Sequence, residues 1–193
     1  MKTNILQILI AVILPVVMIS CNNPGNREKS TYSDSTAMND NQKNTMLDNN
    51  QNRDQEFMED AAYGGLMEVE LGRYAQQKAV SSRVKNFGAM MVKDHSKVND
   101  ELKALATKKN ITLPTALDEK HMKDVNDIKG KTGANFDKDY IKAMVDDHEK
   151  DVDKFKKQAE NGMDSDIKAF AAKTLPTLLM HQDSAKRIKD YLK

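Results

Sequence analysis

Four stretches of this 193-residue chain carry apolar residues at spacings of three and four, and that period leaves little choice of fold. A side chain returns to one face of an α-helix roughly every 3.6 residues, whereas a half-buried strand needs strict alternation. The second stretch, residues 83–109, reads Val84, Phe87, Met91, His95, Val98 and Leu102. The third, 137–160, reads Ile141, Met144, His148, Val152 and Phe155, and the fourth, 164–192, reads Ile167, Phe170, Leu178, His181, Ala185 and Ile188. In the first, 54–80, Phe57, Ala61, Gly64, Glu68, Leu71 and Ala75 share a face. The ends are marked as well. Asp54 suits an N-cap, Ser81-Ser82 breaks the first run, Asn161-Gly162 closes the third, and Pro176 predicts a kink in the fourth. There is no tryptophan and only five phenylalanines and five tyrosines, which also favours helix over strand.

The connections are short, long and short. The middle one, residues 110–135, holds a short predicted helix over 116–128, opened by Pro114 and closed by Gly130 and Gly133. Twenty-six residues suffice to cross the length of a bundle. The expected fold is therefore all-α, a ferritin-like four-helix bundle with a long crossover between its second and third helices that carries a short helix. An up-down bundle with a loose excursion is the alternative. An internal repeat supports two related halves: Met91-Val92-Lys93-Asp94-His95-Ser96-Lys97 matches Met144-Val145-Asp146-Asp147-His148-Glu149-Lys150 at a period of 53.

The N-terminus reads as an address. Lys2 precedes an apolar run over residues 5–19 that is short for a membrane span, so residues 1–20 are expected to be a signal peptide. Met18-Ile19-Ser20-Cys21 resembles a bacterial lipobox, with Cys21 taking the lipid. Cys21 is the sole cysteine, so no intramolecular disulfide competes for it. A lipid there would anchor the chain to the membrane, and Asn22 points to the outer rather than the inner one. Residues 21–52 are polar and read as a disordered tether, with the folded domain over 53–193. Thirty basic and 29 acidic residues nearly cancel, and nothing in that balance points to nucleic acid, which favours a clustered basic surface. No sequence feature names a protein partner.

Three histidines lie on apolar stripes, each in a different helix: His95, His148 and His181. Glu68 faces inward from the first helix. Counting from the turns puts Glu68, His95 and His148 at about one level and His181 about one helical turn away, at 1.5 Å per residue. Two readings stand side by side. Each histidine is a core residue hydrogen-bonded to an acid on a neighbouring helix, or Glu68, His95, His148 and His181 converge on copper, zinc or iron. Met91 and Met144 lie one turn before His95 and His148 and would be soft ligands, favouring copper. Asp94 and Asp147 would accept from the outer histidine nitrogens. A di-iron carboxylate site needs Glu-x-x-His on two helices, and here Val92, Val145 and Leu178 stand three before the histidines. The chain also has no phosphate loop, nucleophile elbow or cysteine–histidine pair, so a non-enzymatic binding or stress-related module is expected.

Over residues 57–191 the chain resembles a bacterial envelope family, domain-of-unknown-function family four-one-four-two, grouped with the ferritin-like bundles. The resemblance rests on Glu68-Val69-Glu70-Leu71-Gly72 with Ala75, on Phe87 and Met91-Val92-Lys93-Asp94-His95, on Phe136-Asp137 with Tyr140, on Met144-Val145-Asp146-Asp147-His148, and on Leu175-Pro176 with Leu178 and His181. It implies the fold and the envelope setting and brings no activity with it.

Overall fold

The computed structural model describes residues 40–193, with side chains from residue 52 onward. Cys21, the signal peptide and the start of the tether lie outside the described residues. Five helices follow one another: α1 (Asp40–Lys78), α2 (Ser82–Lys109), α3 (Glu119–Lys129), α4 (Gly133–Asn161) and α5 (Ser165–Tyr191). There is no strand among the described residues, so the architecture is an all-helical bundle.

The stripes mark the helices to within a few residues. The largest difference is at α1, which begins at Asp40 and so takes in residues 40–52, read above as tether. These residues lack an apolar stripe, but lengthening an existing helix needs no new nucleus. The short helix starts a little later than expected because Asp118 is its N-cap, accepting from His121 N–H at 2.8 Å. α5 runs through Pro176 as one helix.

Asp54 does not cap α1. It lies inside that helix, 5% exposed, and serves the far hairpin instead. Its carboxylate accepts from Met163 N–H at 3.1 Å, Asp164 N–H at 2.7 Å and Gln158 Nε2 at 2.6 Å, closing the α4–α5 turn. Asp137, near the start of α4, does the same for the α1–α2 turn, accepting from Val80 N–H at 3.1 Å and Ser81 N–H at 2.7 Å. A single shift of 83 positions carries Asp54 to Asp137, Val80 to Met163 and Ser81 to Asp164. Each hairpin thus lends a carboxylate to the other's turn. The structural repeat relates hairpin to hairpin, a different relation from the period of 53 between α2 and α4.

The end of α2 is tied to the start of α5 by Lys109, which pairs with Asp164 at 2.5 Å and with Asp166 at 2.7 Å. Within the first hairpin α1 and α2 approach closely at Gly72 and Gly88, where an added Cβ on either would meet the other's carbonyl oxygen at 2.9 Å or 2.7 Å.

Two apolar clusters fill the interior. One contains Leu71, Met91, Tyr140, Met144 and Ala185. The other contains Ala62, Leu102, Phe155 and Leu178. Along every long helix a polar residue falls between the two: Glu68 on α1, His95 on α2, His148 on α4 and His181 on α5. The bundle therefore carries one polar layer between two greasy ones.

Candidate metal centre

The polar layer is almost dry. Glu68 is 1% exposed, His95 3%, and His148 and His181 0%. Buried polar groups without partners cost several kcal/mol, so each contact here matters to the fold as well as to any chemistry.

The histidines meet through one ring nitrogen each. His95 Nε2 is 3.1 Å from His181 Nδ1, and His148 Nε2 is 3.4 Å from the same His181 Nδ1. All three inner nitrogens lie within 4.8 Å of one another. The outer nitrogens are tied to acceptors. His148 Nδ1–H donates to the main-chain carbonyl of Met144 at 3.0 Å, which fixes its tautomer and leaves Nε2 with a lone pair. His181 Nε2 is 3.0 Å from Asp94 Oδ2, and His95 Nδ1 is 2.7 Å from Glu68 Oε2. The second Glu68 oxygen, Oε1, is 3.4 Å from His148 Nε2, close enough to interact with it, yet without hydrogen-bond geometry to any group.

Two proton arrangements fit these distances. In one, Glu68 is neutral and its O–H donates a hydrogen bond to His95 Nδ1, and His95 Nε2–H donates to His181. In the other, Glu68 is ionised and accepts from His95 Nδ1–H, and three lone pairs face one another. Only a cation makes the second favourable. Neither arrangement gives His148 Nε2 a good donor.

Burial sets the protonation. It lowers His148 to about 3, with the neighbouring His95 and His181 adding to the effect. It lowers His95 to about 4, against the pull of Asp151, Asp147 and Asp94. His181 is lowered by burial too, partly opposed by its bond to Asp94. The rings are neutral at pH 7, the form in which imidazole binds metal. Glu68 is held well above the ordinary carboxylate range by burial and by the charge of Asp147.

A second group adjoins the first. Glu68, Asp147 and Asp151 each offer an oxygen within 4.8 Å of the others. Asp147, expected beside a histidine nitrogen, is instead part of this carboxylate trio, and its Oδ2 is buried without a partner. Burial raises Asp147; burial together with Glu68 and Asp147 raises Asp151 well above its usual range. Sequence reasoning passed over Asp151. The available signal was its place one turn beyond both Asp147 and His148 on α4. Met91 and Met144 are fully buried in the apolar cluster with Leu71 and Tyr140, and Met144 reaches the site through its carbonyl. His121 is half-buried, stacked on Tyr63 with ring centroids 4.9 Å apart and paired to Asp118 at 2.6 Å.

Fold and site together define a helical bundle with a buried layer of three histidines and one glutamate. The chain belongs to the family described as Domain of unknown function (DUF4142), whose model matches residues 37–188. Neither a curated protein nor a solved structure gives a significant match.

Proposed function

We propose that this bundle is a metal-binding module that holds one transition-metal ion of the zinc and copper class between His95 Nε2, His148 Nε2 and His181 Nδ1. The observation that carries the reading is the convergence of three inner nitrogens whose outer partners are already engaged. Nitrogens bound to zinc at 2.0–2.1 Å in a tetrahedron stand about 3.3 Å apart. The separations of 3.1 Å and 3.4 Å match that edge. Glu68 Oε1, 3.4 Å from His148 Nε2, supplies the fourth donor and a compensating charge. Asp94, Glu68 and the Met144 carbonyl orient the rings from behind, the usual support for a ligating imidazole. Imidazole and carboxylate donors suit zinc, copper(II) or iron. With no catalytic motif in the sequence, the role is sequestration or delivery rather than turnover.

The setting belongs to the same proposal. The bundle is ferritin-like, and its directions support that. The end of α1 meets the start of α4 through Asp137, and the end of α2 meets the start of α5 through Lys109. α2 and α4 then run the same way, and residues 110–132 cross the bundle's length between them. The chain is an envelope lipoprotein held by Cys21, and Cys21→Ser is expected to move it from the membrane to the soluble fraction of bacterial extracts. No described helix is long and apolar enough to cross a membrane.

The test is metal content of the full chain after exposure to zinc or copper and desalting. About one ion per chain is expected, lost in His95→Ala and His148→Ala with helical content kept. No metal above background in the wild type would leave the histidines as hydrogen-bonding core residues.

A further inference from the structure

We propose that Glu68, Asp147 and Asp151 form a second cation site beside the histidines, taking a divalent ion that prefers oxygen ligands, with Glu68 shared between the two ions. It rests on the metal-binding reading only for the sharing of Glu68.

The three carboxylates come from two helices. Glu68 projects from α1, while Asp147 and Asp151 stand one turn apart on α4. Their offered oxygens lie within 4.8 Å of one another, the span of a coordination sphere with oxygens about 2.1–2.4 Å from one ion. Acidic clusters are common on protein surfaces, but this one is not a surface cluster. Glu68 is 1% exposed, and its Oε1 has no hydrogen-bond donor. Asp147 Oδ2 is likewise buried without one. Unpaired buried oxygens are rare enough in native proteins to call for an ion or water. Lys150 and Lys154 offset part of the charge on Asp147, but neither is paired to a carboxylate of the trio among the described residues. Neither Asp147 nor Asp151 forms an ion pair among the described residues, and Lys154, which lies near both, is engaged by Asp60 at 2.6 Å.

Gly64 on α1 faces Asp151, and even an added Cβ would stay 3.6 Å from Asp151 Oδ2. Asp147 and Asp151 are half-buried, so the trio is in reach of water while the histidines stay closed. The bond from His95 does not exhaust Glu68, because each carboxylate oxygen accepts twice. Oxygen-only donors of high charge select manganese, magnesium or calcium over copper. The centre is then asymmetric: a nitrogen-rich inner position and an oxygen-rich outer one.

The experiment uses the full chain loaded with zinc and titrated with Mn2+, followed by loss of the free Mn2+ electron paramagnetic resonance signal. The wild type is expected to take up about one Mn2+ while keeping its zinc. Asp147→Asn combined with Asp151→Asn is expected to weaken Mn2+ uptake about tenfold or more with zinc content unchanged. These changes keep side-chain volume; if circular dichroism shows lost helix in the pair, Asp151→Asn alone is read against the same expectation. No Mn2+ uptake by the wild type, or equal uptake by the variants, overturns the site. The outcomes separate the two readings. Mn2+ uptake that depends on Asp147 and Asp151 in a chain that takes no zinc sustains the trio and removes the histidine site. Zinc without Mn2+ does the reverse.

Discussion

Replacing Gly88 by alanine tests how the site is held. Gly88 on α2 faces Gly72 on α1, and a Cβ there would stand 2.7 Å from the Gly72 carbonyl oxygen and 3.0 Å from Ala75 Cβ. The carbonyl belongs to a helix interior and cannot swing aside, so the helices must part. Overpacking of this kind costs about 1–3 kcal/mol. Alanine also regains about 1 kcal/mol of helix propensity, leaving a net loss of roughly 0–2 kcal/mol. Gly64→Ala is the control on the same hairpin. Its Cβ would meet only Asp151 Oδ2 at 3.6 Å, ordinary contact, so it keeps the gain. The two variants should differ by about 1–3 kcal/mol. At roughly 2–4 °C per kcal/mol for a body of this size, the melting midpoints separate by roughly 2–12 °C, with Gly88→Ala the lower. A second effect follows from position. Gly72 is one turn from Glu68 and Gly88 two turns from His95, so parted helices lengthen the 2.7 Å Glu68–His95 contact and weaken metal uptake. Thermal unfolding by circular dichroism measures the first effect. A Gly88→Ala chain as stable as Gly64→Ala would refute the close-approach argument.

Two further outcomes follow from the buried carboxylates and histidines. Asp137→Ala leaves the N–H groups of Val80 and Ser81 without an acceptor, and urea unfolding should show a loss of about 2–4 kcal/mol, with Asp137→Asn recovering part of it through its remaining oxygen. Asp54→Ala should cost a similar amount through Met163 and Asp164, and a negligible loss in both would dispose of the reciprocal capping. On acidification of the metal-free chain, ring NMR signals of His95 and His148 should show neutral imidazoles down to about pH 5, since their folded values are lowered to about 4 and about 3. The unfolded chain, with ordinary values near 6.5, binds these protons first. The two rings therefore contribute stability that is whole above about pH 6.5 and is lost as pH falls toward 4 and then 3. Raised Glu68 and Asp151 act in the opposite sense, gaining stability as they take up protons, so the NMR signals and not the global midpoint decide the matter.

Much of this was legible in the chain because helical period and depth along a bundle are both local counts. Stripes of three and four located α2, α4 and α5, and counting residues from the turns set Glu68, His95 and His148 on one level with His181 about one turn away. The α1 extension was not legible, because residues 40–52 present no apolar face to count. Asp54 looked like a cap for its own helix, the commonest use of aspartate at such a point, but its partners lie 109 and 110 positions away. No local rule reaches so far. The same holds for the relation between hairpins. A shift of 83 keeps Asp54 with Asp137 and Phe87 with Phe170 among identities scattered singly along the helices, without a contiguous run like the near-copy at 53. Asp151 lies off the apolar stripe between Lys150 and Val152 and was not singled out. Only α1 packed against α4 turns it toward Glu68.

The central claim is a single ion bound by three imidazoles in the polar layer. X-ray absorption at the zinc edge of the zinc-loaded full chain tests it most directly. The account predicts a first shell of about four light atoms near 2.0–2.1 Å with the outer-shell scattering of three imidazole rings, one ring fewer in His181→Ala. A shell of oxygens without imidazole scattering, or a spectrum unchanged in His181→Ala, would contradict it.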